Sequence, residues 1–204
     1  MTAPVPKASD WAGWRWPVLP WGRGEDQRLP VVSHEFEGGA RFLPNGNLNY
    51  AVHLGLDVMF AWREGDPIGP PEAVAMFKGK PRRGYIAPMG CFVVAAGPGT
   101  VWAAGPSKLG LHVQLDHGTV GDAGGVNTYY QHLTSFARPW MRGDEVKAGD
   151  VLGIMGGDPA NAPHLRHLHF ELWFPRKGVQ AAFWPTDPAP YMQHWHNGPM
   201  VGVA

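Results

Sequence analysis

Glycine and proline interrupt this chain at short intervals and limit the length of any regular element. The sequence holds 28 glycines and 21 prolines among its 204 residues, about a quarter of the chain against roughly an eighth in an average protein. Hydrophobic residues nevertheless make up 44% and aromatic residues 12%, a content that disordered chains lack. The chain therefore has enough apolar side chains for a core, and its frequent breaks favour short strands over helices.

Three segments alternate apolar and polar residues with the two-residue period of a half-buried strand. Residues 52–58 and 167–174 place apolar side chains at even positions, and residues 111–116 place them at odd positions. The segment 97–99, Gly-Pro-Gly, separates two shorter apolar runs and predicts a turn between paired strands. We therefore predict a mostly β protein, an antiparallel β-sheet or sandwich with long loops around a cleft.

Charge and cysteine content exclude several classes of protein. Lys and Arg number 17, as do Asp and Glu, so the formal net charge is zero and no basic footprint for nucleic acid is expected. A single cysteine, Cys91, excludes an internal disulfide. No apolar run approaches the ~20 residues of a membrane helix, and the first residues lack the apolar stretch of a signal peptide. We expect no nucleic-acid partner and no membrane span.

The two ends of the chain differ in composition from its middle. Residues 1–28 form an arm rich in proline and tryptophan, which contains Trp11, Trp14, Trp16 and Trp21. This arm either packs over the main domain or docks to a larger assembly through exposed aromatic residues. We assign residues 29–185 to the main domain, with an insertion at about 59–89, and residues 186–204 to a C-terminal tail.

Ten histidines are the feature that the neutral composition does not explain. His167 and His169 lie two residues apart on one predicted strand, so their side chains share a face with Cα atoms ~6.6 Å apart. Such a pair suits a metal site or an acid–base site, or it is two polar residues on a solvated face. His132, on another predicted strand, is either an acid–base group that faces a cleft or a surface residue.

His53 and Asp57 strengthen the metal hypothesis. On a fully extended strand their Cα atoms would lie ~13 Å apart, too far to share one ion with bonds of ~2.0–2.2 Å. Gly55 lies midway between them, where a bend or a bulge is least costly. This pair and a second histidine form a three-ligand set with an open fourth position, which is the form of a catalytic zinc site.

Three motifs, in order along the chain, resemble those of the lysostaphin/LytM-type zinc metallopeptidases, which cut peptidoglycan peptides. Residues 53–57, HLGLD, are similar to the family's H-x-G-x-D motif. Residues 130–133, YQHL, resemble its Y-x-H-L motif, and residues 167–171, HLHFE, resemble its H-L-H-F-E motif. The resemblance runs from about residue 14 to about residue 174 and includes the glycine-containing stretch at 143–153.

The resemblance implies the fold of that peptidase domain and one bound Zn²⁺ per chain. By position, His53, Asp57 and His169 would bind the zinc ion, and His132 and His167 would be the catalytic histidines. The other histidines match no motif position and are interpreted as structural, loop or surface residues: His34, His112, His117, His164, His194 and His196.

The function that the resemblance implies is zinc-dependent hydrolysis of peptide cross-links or stems in bacterial peptidoglycan. The alternatives are a catalytically silent wall-binding or activator protein of the same fold, a cupin-type metal protein, and a structural component of a larger assembly that docks through the arm. Because a wall substrate lies outside the cytoplasm, we expect a non-standard secretion route, or association with a phage particle or an injection device.

Overall fold

A computed structural model describes residues 7–37, 53–63, 76–77, 80–81, 85–158, 162–175 and 183–196. Its strands are β1 (Pro30–His34), β2 (Leu56–Ala61), β3 (Met76–Phe77), β4 (Lys80–Pro81), β5 (Tyr85–Ile86), β6 (Phe92–Val94), β7 (Gly99–Ser107), β8 (Gly110–Thr119), β9 (Gly125–Phe136), β10 (Glu145–Val146), β11 (Val151–Met155), β12 (Gly157–Asp158), β13 (Ala162–Arg166), β14 (Leu168–Pro175) and β15 (Phe183–Thr186). Helical structure in this part of the chain is short: 3₁₀ turns at Ala8–Trp11, Gly24–Asp26 and Gly121–Ala123, and the helix α1 (Ala189–Met192). None of these helical segments is long and apolar enough to cross a membrane.

One antiparallel sheet of eleven strands dominates the described residues. Its main path runs β1-β2-β14-β9-β8-β7-β10. β5 and β15 extend the sheet beside β2 and β14, and β11 joins β6 to β9. Two separate pairs form from β3 with β4 and from β12 with β13. The predicted mostly antiparallel β fold is confirmed.

The alternation in the sequence becomes the two faces of this sheet. On β14, Leu168, Phe170 and Leu172 are buried in the core, and His169 points to the opposite, partly exposed face. The neighbouring strands bury their own alternate side chains in the same core: Leu56, Val58, Phe60, Val113, Leu115 and Tyr130. The strand predicted at 52–58 begins only at Leu56, because the chain bends before it.

The pairing predicted across segment 97–99 is wrong. β6 pairs with β11, whereas β7 pairs with β8 and β10. The residues between β6 and β7 bond elsewhere: the Arg15 N–H donates to the Ala96 carbonyl oxygen, and the Ala95 N–H donates to the Asp150 carbonyl oxygen. Because the arm and a distant turn occupy this backbone, the two strands separate and do not form a hairpin.

Three of the four tryptophans of the arm pack inside the chain. Trp11, Trp14 and Trp16 are at most 4% exposed. The Trp14 ring contacts Trp11 at 4.6 Å and Trp195 of the tail at 5.2 Å between centroids. Trp195 in turn contacts Phe170 of β14 at 5.9 Å. The packed interpretation of the arm is the one that the structure shows, and the arm and the tail together support β14.

The predicted insertion at 59–89 lies largely outside the described residues. Its first residues, 59–61, belong to β2, and its later part includes the short strands β3, β4 and β5. The predicted boundaries of arm, domain and tail stay predictions.

His117 lies half-buried beneath the arm, where its ring centroid is 4.5 Å from that of Trp14. Its Nδ1–H donates to the Pro98 carbonyl oxygen at 2.7 Å, and its Nε2 lies 2.7 Å from the Thr128 hydroxyl oxygen. Burial lowers the pKa of His117 to about 4. The ring is therefore neutral at pH 7, and its contacts give it a structural role.

Acid is expected to destabilise the fold through His117. The His117 ring takes up a proton below about pH 6.5 in the unfolded chain, but only below about pH 4 in the folded chain. Between these two pH values the unfolded state therefore binds more protons than the folded state. The free energy of unfolding should therefore fall by about 2 kcal/mol between pH 7 and pH 5 on account of this residue. Urea unfolding at both pH values should show a smaller fall in His117→Gln than in the wild type; equal falls would contradict this account.

Candidate active site

His53, Asp57 and His169 converge through three donor atoms. His53 Nε2 lies 2.9 Å from Asp57 Oδ1 and 3.0 Å from His169 Nδ1, and the last two atoms are 3.2 Å apart. The donor atoms of a tetrahedral zinc site with bonds of ~2.0–2.1 Å are ~3.3 Å apart. The residues predicted as ligands therefore meet at nearly the spacing that a small divalent cation requires.

Strand pairing and one bend bring these three residues together. β2 and β14 pair so that Asp57 stands directly opposite His169, and their side chains share a face of the sheet. His53 precedes β2, and the bend at Gly55 brings its side chain next to those of Asp57 and His169. A Cβ at Gly55 would lie 2.3 Å from the Phe170 carbonyl oxygen. Gly55 thus permits both the bend and the close approach of β14.

Hydrogen bonds on the far side of each imidazole fix its orientation. The His53 Nδ1–H donates to the Glu35 carbonyl oxygen at 2.8 Å, which directs the Nε2 lone pair into the cluster. The His169 Nε2–H donates to Glu171 Oε1 at 2.8 Å, and the Trp173 Nε1–H donates to the other oxygen of that carboxylate at 2.6 Å. Such outer contacts set the tautomer and the ring plane of metal-binding histidines.

The electrostatics of the cluster favour a cation. Burial alone would raise the pKa of the Asp57 carboxyl, but the surrounding histidines, led by His167, hold it well below its usual range. Burial would likewise lower the pKa of His169, but its contacts with Asp57 and Glu171 raise it to about 10. The two carboxylates thus attract positive charge to this point, and a divalent metal ion would displace the proton from His169.

His34 also belongs to this cluster, and its interpretation as a structural or surface residue missed that. Its Nδ1 lies 3.2 Å from Asp57 Oδ2, and its ring stacks on His53 with centroids 3.8 Å apart and planes within 2°. His34, His53 and Asp57 each offer a ligand atom within 4.8 Å of one another. The feature that places His34 here is a bulge in β1, for which the sequence carries no clear signal.

His132 and His167 lie together beside the cluster. Their ring centroids are 4.5 Å apart, the His132 ring is 5.9 Å from the His169 ring, and His167 Nε2 is 3.7 Å from Asp57 Oδ1. Gly156 joins their backbones, because its N–H donates to the His132 carbonyl oxygen and its carbonyl oxygen accepts from the His167 N–H. The structure therefore brings all five residues predicted for the site into one place.

His132 combines a rare backbone conformation with a neutral side chain. Its φ of 65° lies in the left-handed region, which residues other than glycine seldom adopt and which is often found at functional sites. Its Nδ1–H donates to the Leu109 carbonyl oxygen at 2.7 Å. Burial lowers the pKa of His132 to about 4, helped by the charge of His167. At neutral pH its Nε2 therefore carries a lone pair and can accept a proton.

The histidines that match no motif position lie elsewhere, apart from His34. His112 and His117 are on β8, and His194 and His196 are exposed in the tail. The side chain of His164 lies outside the described residues.

The segments that carry three of the five site residues match a known family. Residues 84–181 match the model of Peptidase family M23. This part of the chain is similar to Peptidase family M23. This match confirms the lysostaphin/LytM-type resemblance and includes His132, His167 and His169. His53 and Asp57 lie before the matched residues, and the pairing of β2 with β14 brings them to the site. No curated protein matches the chain.

Solved structures with this fold have low sequence identity to the chain. A lytM structure from Ruminococcus gnavus matches with a TM-score of 0.53 and 22% identity, over 93% of this chain and 63% of that one. A chain of the SpoIIQ–SpoIIIAH pore forming complex matches with a TM-score of 0.51 and 20% identity, over 95% and 99%. The catalytic domain of lysostaphin from Staphylococcus simulans matches with a TM-score of 0.47 and 20% identity, over 81% and 92%. The chain spans between 34% and 63% of the length of the first structures that it matches.

Proposed function

We propose that the chain is a zinc-dependent endopeptidase that hydrolyses peptide cross-links or stem peptides of bacterial peptidoglycan. The proposal rests on the donor atoms of His53, Asp57 and His169, which lie within 3.2 Å of one another beside two further imidazoles. Two histidines and one carboxylate leave one position of a tetrahedral zinc site open, as in catalytic sites. One zinc ion per chain would suffice.

The side chains around the cluster would hold and move the protons of amide hydrolysis. A bound zinc ion would polarise the scissile carbonyl and lower the pKa of a water molecule. His132, neutral and with its lone pair at Nε2, would accept the proton of the attacking water and pass it to the leaving amine. His167 would donate a hydrogen bond to the oxygen of the scissile carbonyl as negative charge develops there.

The main alternative is a catalytically silent protein that binds the wall, activates another enzyme or forms part of a larger assembly. One structure with this fold belongs to a pore forming complex. The site favours the enzyme, because a scaffold has no need of three donor atoms aimed at one point.

Delivery by a phage particle, an injection device or another non-standard route would make the proposed activity bacteriolytic, like that of an endolysin. Docking to such an assembly through an arm tryptophan would use Trp21, which is partly exposed beside the exposed residues 22–27, since the other arm tryptophans are buried.

Digestion of purified peptidoglycan tests the proposed function. The wild type is expected to release fragments with new amino termini, detected by mass spectrometry. A chelator should stop this release, and added zinc should restore it, because the cluster would hold the metal reversibly. His194→Ala, a change at an exposed residue of the tail, should keep full activity. Cleaved glycan with intact peptides, or digestion that the chelator leaves undiminished, would contradict the proposal. No digestion by the zinc-loaded protein would favour the silent alternative.

A further inference from the structure

We propose that His34 is a positioning residue of the metal site, which holds the Asp57 carboxylate and the His53 ring in the orientation that a cation needs. The inference rests on the proposed function, because it concerns two residues that would bind zinc. His34 itself precedes residues 84–181, which match the M23 family model.

A bulge in β1 turns the His34 side chain toward Asp57. Val32 pairs with Val58, yet the next pair joins His34 to Asp57, so β1 advances two residues while β2 advances one. In a regular ladder Ser33 would stand opposite Asp57. The bulge puts His34 in that place, on the face that carries the carboxylate.

The Asp57 carboxylate is held at both oxygens. Its Oδ1 faces His53 and His169 in the three-atom cluster, and its Oδ2 lies 3.2 Å from His34 Nδ1. A carboxylate only accepts hydrogen bonds, so His34 donates through its Nδ1–H. This bond opposes rotation of the carboxylate and keeps Oδ1 directed at the cluster.

The residues around His34 hold His53 as well. The His34 ring covers the His53 ring at 3.8 Å, and the Glu35 carbonyl oxygen accepts from the His53 Nδ1–H. Glu37 Oε2 accepts from the His53 backbone N–H at 3.0 Å, and Glu37 Oε1 lies 3.5 Å from His34 Nε2. Residues 34–37 therefore contact both proposed ligands, His53 and Asp57, and restrict their movement.

The geometry favours a positioning role over metal ligation by His34. The lone pairs of an imidazole lie in the plane of its ring, and the planes of His34 and His53 are parallel to within 2°. In-plane lone pairs of two stacked rings do not converge on one ion. His34 Nδ1 also faces Asp57 Oδ2 and not the oxygen that joins the three-atom cluster.

The zinc affinity of the metal-free protein, measured by competition with a chromophoric chelator, tests this role. His34→Ala is expected to bind zinc about 10–100-fold more weakly, as is usual when an outer contact of a metal ligand is lost. His34→Asn can place an amide N–H where the Nδ1–H lies and should recover most of the affinity. His34→Phe keeps the stacked ring without the donor and should bind as weakly as His34→Ala. His194→Ala is the control and should bind zinc like the wild type.

X-ray absorption of the zinc-loaded proteins separates positioning from ligation. The wild type and His34→Asn should show the same number of imidazole ligands. Loss of one imidazole from the spectrum of His34→Asn would make His34 a ligand and overturn the inference. Wild-type affinity in His34→Ala, or recovery in His34→Phe and not in His34→Asn, would overturn it too. A wild-type protein that binds no zinc would contradict the proposed function itself.

Discussion

Gly55→Ala is expected to abolish peptidase activity and to weaken zinc binding, although residue 55 offers no ligand. A Cβ at this position would lie 2.3 Å from the Phe170 carbonyl oxygen, 3.0 Å from its carbonyl carbon and 2.9 Å from Glu171 Cγ. The two Phe170 atoms belong to the backbone of β14, which cannot turn aside as the end of a flexible side chain can. β2 and β14 would therefore have to separate.

Separation of these strands would act directly on the metal site. Asp57 and His169 stand opposite each other across this pair of strands, so the donor atoms would move apart. A displacement of about 1 Å at a catalytic group costs on the order of 100-fold in rate. The added methyl group should also lower the free energy of unfolding by about 1–3 kcal/mol. Zinc content, peptidoglycan digestion and urea unfolding measure the three effects.

Gly105→Ala is the matched control for this prediction. Gly105 lies within β7, where an added Cβ would have no neighbouring atom within 4 Å. The variant should keep its zinc and its activity, with an unfolding free energy within about 0.5 kcal/mol of the wild type. Full zinc affinity in Gly55→Ala would show that β14 can yield, and the prediction would be wrong.

Part of the site could be predicted because its geometry is local. His167 and His169 alternate with apolar residues in the sequence, and period two alone predicts that both side chains point to the same side of the chain. His53 and Asp57 required a break in that period, and Gly55 between them indicated where it falls. The sequence did not indicate that the backbone of β14, more than a hundred residues away, packs against Gly55 too closely for a Cβ.

The rest of the site depends on contacts between distant segments. His34 reaches Asp57 because a bulge shifts β1 by one residue against β2, and the short run before His34 has no glycine that would mark the bulge. Trp16 donates its indole N–H to the Met192 carbonyl oxygen across 176 positions. Such a contact depends on the complete fold, so the sequence could not show that Trp11, Trp14 and Trp16 of the arm are buried.

His132→Ala and His167→Ala are each expected to lower kcat by about 10²–10⁴-fold while zinc stays bound. Neither side chain supplies one of the three clustered donor atoms. The Nδ1 of His132 is bonded to the Leu109 carbonyl oxygen, and His167 Nε2 lies 3.7 Å from Asp57 Oδ1. Their loss would remove a proton acceptor or a hydrogen-bond donor from the transition state, so KM should change little.

Zinc content separates these two histidines from the ligands. His169→Ala should lose both zinc and activity, because it removes a donor atom of the cluster. The double variant of His132 and His167 should lose little more activity than either single variant, since groups that act as a unit are not additive. Metal content by atomic absorption and kcat on a defined wall peptide measure these outcomes. If one of the two single variants keeps kcat within about tenfold of the wild type, that histidine is dispensable for catalysis. If a variant loses its zinc together with its activity, that histidine is a metal ligand.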